Sequence, residues 1–321
     1  MKIVIAGTGS IGYRHIQNIR RIIPAAQFVF LRKDKRVDDL SEKISAVVVS
    51  DTREAMALNP DCAVIATPSA FHTQLILEFI QYGLPLYIEK PVVIKQSDVD
   101  AIRGCIKKYH YTSATLVGCN LRYLKSLRII KSIIQSGQVG RIARVSLQAG
   151  QWLPDWRPTQ DYRISYSSDS VRGGGVIWDL IHELDSARFL LGDFDQVKAL
   201  SSNFEPLEIN SEAVAVIILG KSEGGPLLTI GLDYVSRVPV RKYEIYAEKA
   251  TLIWDLPGKT LVKQTVNGLD MLTDNPEDFD VSETYIDAMK EFFNAIENGI
   301  NTSQDIEEGL KSVELALLAK T

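Results

Sequence analysis

The chain has 321 residues, 45% of them hydrophobic and 24% charged, and a formal net charge of −4. At roughly 150 residues per domain that is length for two cores, and the absence of any basic block or stripe excludes nucleic acid and anionic membrane as expected partners. Cys62, Cys105 and Cys119 are odd in number and lack C-x-x-C spacing, which speaks against a disulfide framework or a zinc site and fits a reducing compartment. The start, MKIVIAGTG, is too short an apolar run for a signal peptide, and no run approaches the ~18 residues that span a bilayer. The expectation is a cytoplasmic protein with no membrane segment and no metal.

KIVIAG opens as a strand, and SIGYRHIQNIRRII sets Ile11, His15, Ile19 and Ile22 at helical spacing. QFVFLR reads as a strand, SAVVVS as a short one and DCAVIATP as another. HTQLILEFIQYG reads as a helix stopped by Gly83. LPLYIEKPVV then gives a strand buried on both faces that ends in Glu89, Lys90 and Pro91, before a helix over residues 97–109 and the strand ATLVG. This alternation predicts parallel strands joined by right-handed crossovers, an α/β doubly wound Rossmann sheet over residues 1–119.

Past Asn120 the pattern changes. YLKSLRIIKSIIQSG and the segment after Gly175 read as helices flanking the strand RIARVSLQAGQW. From Gln196 to about Val266 come QVKAL, EAVAVIIL, PLLTIGLDYV, RKYEIYAEKATLIWDL and KTLVKQTV, then two closing helices near residues 285–297 and 306–319. Residues 120–321 are therefore expected to form an α+β domain around a large, mostly antiparallel open sheet. Its helices are too few to cover both sheet faces, so the sheet is expected to join copies into a homodimer or homotetramer.

IAGTGSIGYRH carries G-x-G-x-x-G at Gly7, Gly9 and Gly12, between a strand and a helix. The glycines allow the turn, the approach of a pyrophosphate and close helix packing, while Ser10 and Ile11 begin the helix whose free N–H groups favour an anion. An empty glycine turn is the alternative. Thr67 and Pro68 end another strand, followed by His72, and strand ends of this kind line the cofactor crevice. About 20 positions past Gly12, where an NAD-preferring fold carries an acid for the ribose 2′-hydroxyl, stands Arg32, followed by Lys33. A guanidinium there suits a 2′-phosphate, so the cofactor expectation is NAD(P) with a lean to NADP. Asp34 could reach the ribose if the strand end shifts by a residue or two.

The glycine fingerprint, ATPSAFH and EKP, in this order, resemble the glucose–fructose oxidoreductase / inositol dehydrogenase / rhizopine-catabolism (Gfo/Idh/MocA) family over essentially the whole chain. The resemblance implies a nicotinamide-dependent oxidoreductase in which Lys90 contacts nicotinamide ribose and substrate and takes part in proton transfer. Glu89 either orients that ammonium or caps the strand.

RGGGVIWDLIHELDSARFLLG gives an amphipathic helix in which Asp179 and His182 lie three apart, one turn from each other. The resemblance implies an Asp and a His on this helix, but inositol-dehydrogenase-type members usually space them four apart, so either Asp179 or Trp178 occupies the aspartate's place. His182 is the firmer match. GCNLRYLKSL similarly implies substrate contacts at Asn120 and Arg122, with an interdomain linker as the alternative. In QWLPDWRPTQDYRISYS, Trp156, with Trp152, Tyr162 and Tyr166, suits stacking on a sugar, and Arg163, with Arg157, suits a carboxylate or phosphate; a loop packed on its own sheet is the competing reading. The expected reaction is hydride transfer at a carbinol or carbonyl carbon of a sugar, sugar acid or nucleotide sugar, with Lys90, His182 and Asp179 handling the proton. The loop style is similar to members in sialic-acid-like and nucleotide-sugar glycan pathways. The alternatives are a non-catalytic NAD(P)-binding sensor and a trans-diol or other carbonyl reductase of the same family.

Overall fold

The computed structural model describes residues 1–156 and 158–321; Arg157 of the aromatic loop lies outside the described residues. The chain forms two compact units, Met1–Cys119 with Tyr285–Val313, and Asn120–Thr284 with Glu314–Thr321. The sequence reading assigned 120–321 wholesale to a second domain, whereas residues 285–313 belong to the first unit.

In the first unit β1 (Lys2–Ala6), β2 (Gln27–Leu31), β3 (Val47–Val49), β4 (Cys62–Ile65), β5 (Leu86–Ile88) and β6 (Thr115–Val117) form a sheet in the order β3-β2-β1-β4-β5-β6. Every neighbouring pair is parallel. Helices α1 (Ser10–Ile22), α2 (Asp39–Lys43), α3 (Thr52–Met56), α4 (His72–Gln81) and α5 (Gln96–Tyr109) connect them. Ile3–Ala6, Cys62–Ile65 and Leu86–Ile88 are all buried. A strand covered on both faces needs apolar residues without alternation, which is why these segments are unbroken apolar runs. Gly83, with φ +66°, takes the left-handed turn that ends α4. The strand order reverses between β1 and β4, and that reversal opens the crevice at their C-terminal ends.

Residues 285–313 join this unit by closing the β6 edge. Gln304 O accepts from Val117 N at 2.8 Å, Thr302 Oγ1 donates to Thr115 O at 2.5 Å and Thr115 Oγ1 accepts from Ile306 N at 2.9 Å. An edge strand otherwise leaves such groups unpaired. A Cβ on Gly309 would fall 2.5 Å from Val117 Cγ2, so only glycine permits this approach.

The second unit holds β7 (Ile142–Gly150), β8 (Gln196–Ser202), β9 (Val214–Gly220), β10 (Leu227–Asp233), β11 (Val240–Ala247), β12 (Thr251–Asp255), β13 (Thr260–Thr265) and β14 (Gly268–Thr273), in the order β14-β13-β12-β11-β7-β10-β9-β8. All pairs are antiparallel except β7 with β10. One face buries Leu147, Ile217, Ile230, Tyr243 and Trp254 in the company of α6 (Lys125–Gln135), α7 (Val176–Asp179) and α8 (Ile181–Leu191); Trp254 Nε1 donates to Ser126 Oγ of α6 at 2.9 Å. On β8 and β9 the opposite face leaves Leu200, Val216 and Ile218 exposed at 83, 51 and 44%. RKYEIYAEKATLIWDL is two strands, turned between Ala247 and Ala250, and β14 adds a strand beyond the expected limit near Val266. Helices α9 (Val281–Asn298) and α10 (Ile306–Lys320) complete the chain. Among the described residues no helix is long and apolar enough to cross a membrane.

Candidate active site

The glycine loop is built as a cradle. Gly7 has φ +94° and a Cβ there would lie 2.5 Å from Ala66 O; one on Gly12 would lie 2.0 Å from Gly7 O. Both positions therefore require glycine for close packing of β1, α1 and β4. Gly9 differs, because a Cβ there meets nothing within 4 Å, leaving its backbone open to a ligand. Ser10 beside it is exposed and Ile11 half-buried. Helix α1 has no side-chain N-cap and no acid in its first turn, the condition under which its leading N–H groups favour a phosphate. Thr67 Oγ1 is buried with no hydrogen-bond partner among the described residues. A cleft of about 730 Å³ at these strand ends is lined by Gly7, Leu31, Lys33, Ser50, Thr67 and Phe71 among others. An open glycine backbone, an orphaned hydroxyl and a cleft of this volume fit a dinucleotide.

Arg32 closes β2 beside this cradle. Its Nη2 donates to Thr8 Oγ1 at 2.8 Å, its Nη1 to Arg36 O at 2.8 Å, and Asp38 Oδ2 lies 3.0 Å from Nη2. Hydrogen bonds from the Ser41 backbone and then from Arg32 hold the Asp38 carboxyl down at about 2. Asp34 accepts from Arg36 N at 3.1 Å.

Lys90 follows β5, joined to Pro91 by a cis peptide. Its neighbour Glu89 is buried, and His15 Nε2 of α1 hydrogen-bonds Glu89 Oε1 at 2.6 Å. The Glu89 carboxylate also packs on Gly118, where a Cβ would fall 3.0 Å from Oε1, and Oε2 accepts from Lys90 N at 3.3 Å. His15 is fully buried and its Nδ1 has no partner among the described residues. His72, expected to touch the cofactor, is likewise wholly buried: Nε2 lies 2.8 Å from Thr67 O and Nδ1 3.1 Å from Val92 O. Burial lowers its pKa, outweighing both carbonyls. It ties the segment after β4 to the segment after Lys90 and leaves no ring face for a ligand.

In the second unit Gly175, φ +113°, starts α7 in a position where a Cβ would strike the Glu212 carboxylate at 2.5 Å. Asp179 ends this helix, 4% exposed, and its carboxylate accepts from Tyr166 Oη and, at 2.7 Å, from Tyr234 Oη. Burial first and Asp179 second push the Tyr234 phenol well above its ordinary value, so it stays a donor. His182 is the second residue of α8 and is 9% exposed. Trp156 stands edge-on to Tyr234, centroids 5.3 Å apart, and donates to Gln151 O at 3.3 Å. Asn120 Nδ2 donates to Thr284 Oγ1 at 2.6 Å. Two expected substrate residues are otherwise engaged. Arg122 is buried in a two-pronged pair with Asp185 at 2.7 and 2.8 Å, and Arg163 is exposed, pairing with Asp161 and Glu208. Sequence reasoning missed His15, Asp38 and Tyr234. Only His15 carried a signal, a polar residue on the buried stripe of α1.

Residues 1–115 match the oxidoreductase family with NAD-binding Rossmann fold, and residues 127–253 match the GFO/IDH/MocA C-terminal domain. The chain is 31% identical over 176 residues to an inositol 2-dehydrogenase of Rhizobium meliloti, covering 54% of this chain and 45% of that protein. It is 24% identical to a myo-inositol 2-dehydrogenase of Thermotoga maritima, covering 100% and 95%. The chain thus spans about half the length of some curated relatives and nearly all of others. An oxidoreductase from Agrobacterium radiobacter, solved with NAD+, L-tartaric acid and magnesium, shares the fold with a TM-score of 0.82 and 21% identity over 100% of this chain and 96% of that one. The chain belongs to the Gfo/Idh/MocA oxidoreductase family.

Proposed function

From that membership we propose that the protein is an NAD(P)-dependent dehydrogenase or reductase acting at a carbinol or carbonyl carbon of a sugar, sugar acid or nucleotide sugar. The observation that carries the reading is the end of β5 at Lys90, tied by the buried Glu89–His15 pair to the helix that the open glycine cradle starts. The names of the inositol dehydrogenases to which the chain is similar support the polyol or sugar class.

The cradle residues Gly7, Gly9, Ser10, Ile11 and Gly12 would hold the pyrophosphate, with Thr67 and Pro68 along its path and Arg32 and Lys33 toward the adenosine ribose. The bound nicotinamide supplies the hydride acceptor or donor. Lys90 takes the hydroxyl proton on oxidation or returns it on reduction. His182 shares the proton, and Asp179, given two phenol hydrogen bonds, orients the group beside it. Asn120 and Trp156 are the proposed substrate contacts. Arg122 would act through Asp185 by positioning α8, and Arg163 would need to leave its surface carboxylates to reach an anionic sugar. Arg32 and Lys33, standing at the β2 end where an NAD-preferring fold carries an acid, favour NADP, with Asp38 on Arg32 as the opposing charge.

A panel of sugars, sugar acids and nucleotide sugars, scored by nicotinamide absorbance with NAD+ and NADP+, tests the reading. Lys90→Ala should lower turnover about 10²–10⁴-fold with modest loss of cofactor affinity, and His182→Ala should flatten one limb of the pH–rate profile. Unchanged turnover in Lys90→Ala would remove the lysine from the chemistry.

The apolar β8–β9 face suits a second copy of the chain, giving a dimer or tetramer. Val216→Glu should shift the sedimenting species toward monomer; wild-type protein that is monomeric at micromolar concentration would end this part.

A further inference from the structure

Arg32 cannot meet a 2′-phosphate with a bare guanidinium, because Asp38 is already on it. Asp38 Oδ2 lies 3.0 Å from Nη2, and the carboxylate is braced from behind. Oδ1 accepts from Ser41 N at 3.0 Å, and Asp38 N donates to Ser41 Oγ at 2.8 Å, the reciprocal cap that starts α2. The same Nη2 reaches Thr8 Oγ1 at 2.8 Å, so one cation joins the glycine loop, the end of β2 and the loop after it. The guanidinium lies over the Phe30 ring, 4.9 Å from its centroid, and the Arg32 side chain is only 9% exposed.

We infer that Asp38 is a specificity-determining residue: an internal anion that occupies Arg32 and sets how far the site prefers a 2′-phosphate over a 2′-hydroxyl. The inference rests on the dinucleotide reading above and deepens it. A 2′-phosphate must displace Asp38 or share one guanidinium with it, placing two anions within a few ångströms. A 2′-hydroxyl meets no such opposition, since it can donate to the carboxylate and leave the ion pair intact. Arg32 therefore supplies the attraction for NADP, and Asp38 takes part of it away.

The test is binding, and needs no substrate. NAD+ and NADP+ are titrated by intrinsic fluorescence against wild type, Asp38→Asn, Arg32→Gln and the double variant. Asparagine caps helices as well as aspartate does, so Asp38→Asn keeps the start of α2 and removes the charge. It should tighten NADP+ about tenfold while NAD+ moves less than about threefold. In the Arg32→Gln background that gain should fall below about threefold, because the competition is for this guanidinium. Reading both cofactors on each preparation gives a ratio that partial misfolding does not move. Asp38→Ser, which also caps, should reproduce the shift. An unchanged ratio in both Asp38 variants, or an equal gain with and without Arg32, overturns the role of Asp38. Wild-type protein that binds neither dinucleotide would overturn the cofactor reading along with it.

Discussion

Each unit buries a carboxylate beside a proposed catalytic residue, and the two are held differently. Glu89, next to Lys90, is held by the His15 imidazole, drawn from 74 positions away, and by the Lys90 amide at 3.3 Å. Asp179, one turn before His182, is held by two phenols, Tyr166 and Tyr234, from 13 and 55 positions away. A phenol donates without changing charge anywhere near neutrality. Removing the imidazole leaves the first carboxylate a backbone amide, while the second keeps a phenol if the other is removed. Redundancy, more than burial, should separate the two halves under mutation.

The largest effect expected from this contrast is at His15. His15→Leu leaves the Glu89 carboxylate buried without its imidazole, at a cost of roughly 1.5–3 kcal/mol for a lost hydrogen bond to a charged group. His15→Gln keeps an N–H donor at similar reach and should recover at least half of the loss. Urea unfolding reads this as a shift of the midpoint at constant slope. If His15→Leu also lowers turnover while cofactor affinity holds, the pair positions Lys90. Equal losses in the leucine and glutamine variants would mean that His15 matters by volume alone.

How much of this was legible follows the range of the interactions. The glycine cradle is local: three glycines within six residues, a strand before and a helix after, so its geometry could be read almost whole. The unbroken apolar runs of β1, β4 and β5 announced a doubly covered parallel sheet for the same reason. Nothing local joins residue 15 to 89 or 234 to 179; only folding brings them together, and a histidine on a buried stripe looks like any satisfied core histidine. Residues 285–313 read correctly as helices, but an amphipathic pattern states that a face is buried and is silent on which sheet buries it. β14, GLDMLT, is an edge strand whose alternating Leu269 and Met271 are exposed, so its brief apolar alternation answers to no buried face. Arg32 was found by counting from the glycines. Asp38, six residues later, belongs to no such count.

The smallest effect is expected at Tyr234, and it sharpens the contrast most. Tyr234→Phe removes one hydroxyl from Asp179, whose other oxygen still accepts from Tyr166, so the loss should be about 1–1.5 kcal/mol, at or below the low end for a bond to a charged acceptor. Its pH dependence is fixed by the phenol. Burial, then Asp179, raises the folded pKa of Tyr234 well above the ordinary 10.0, so the proton is held more tightly folded than unfolded. That contribution is fully present below about pH 10 and is lost only as pH climbs through the folded value. The stability difference between wild type and Tyr234→Phe should therefore be flat from pH 6 to 9, measured by urea midpoints at several pH values. A difference that grows or shrinks steadily across that window would mean that another titrating group answers to Tyr234.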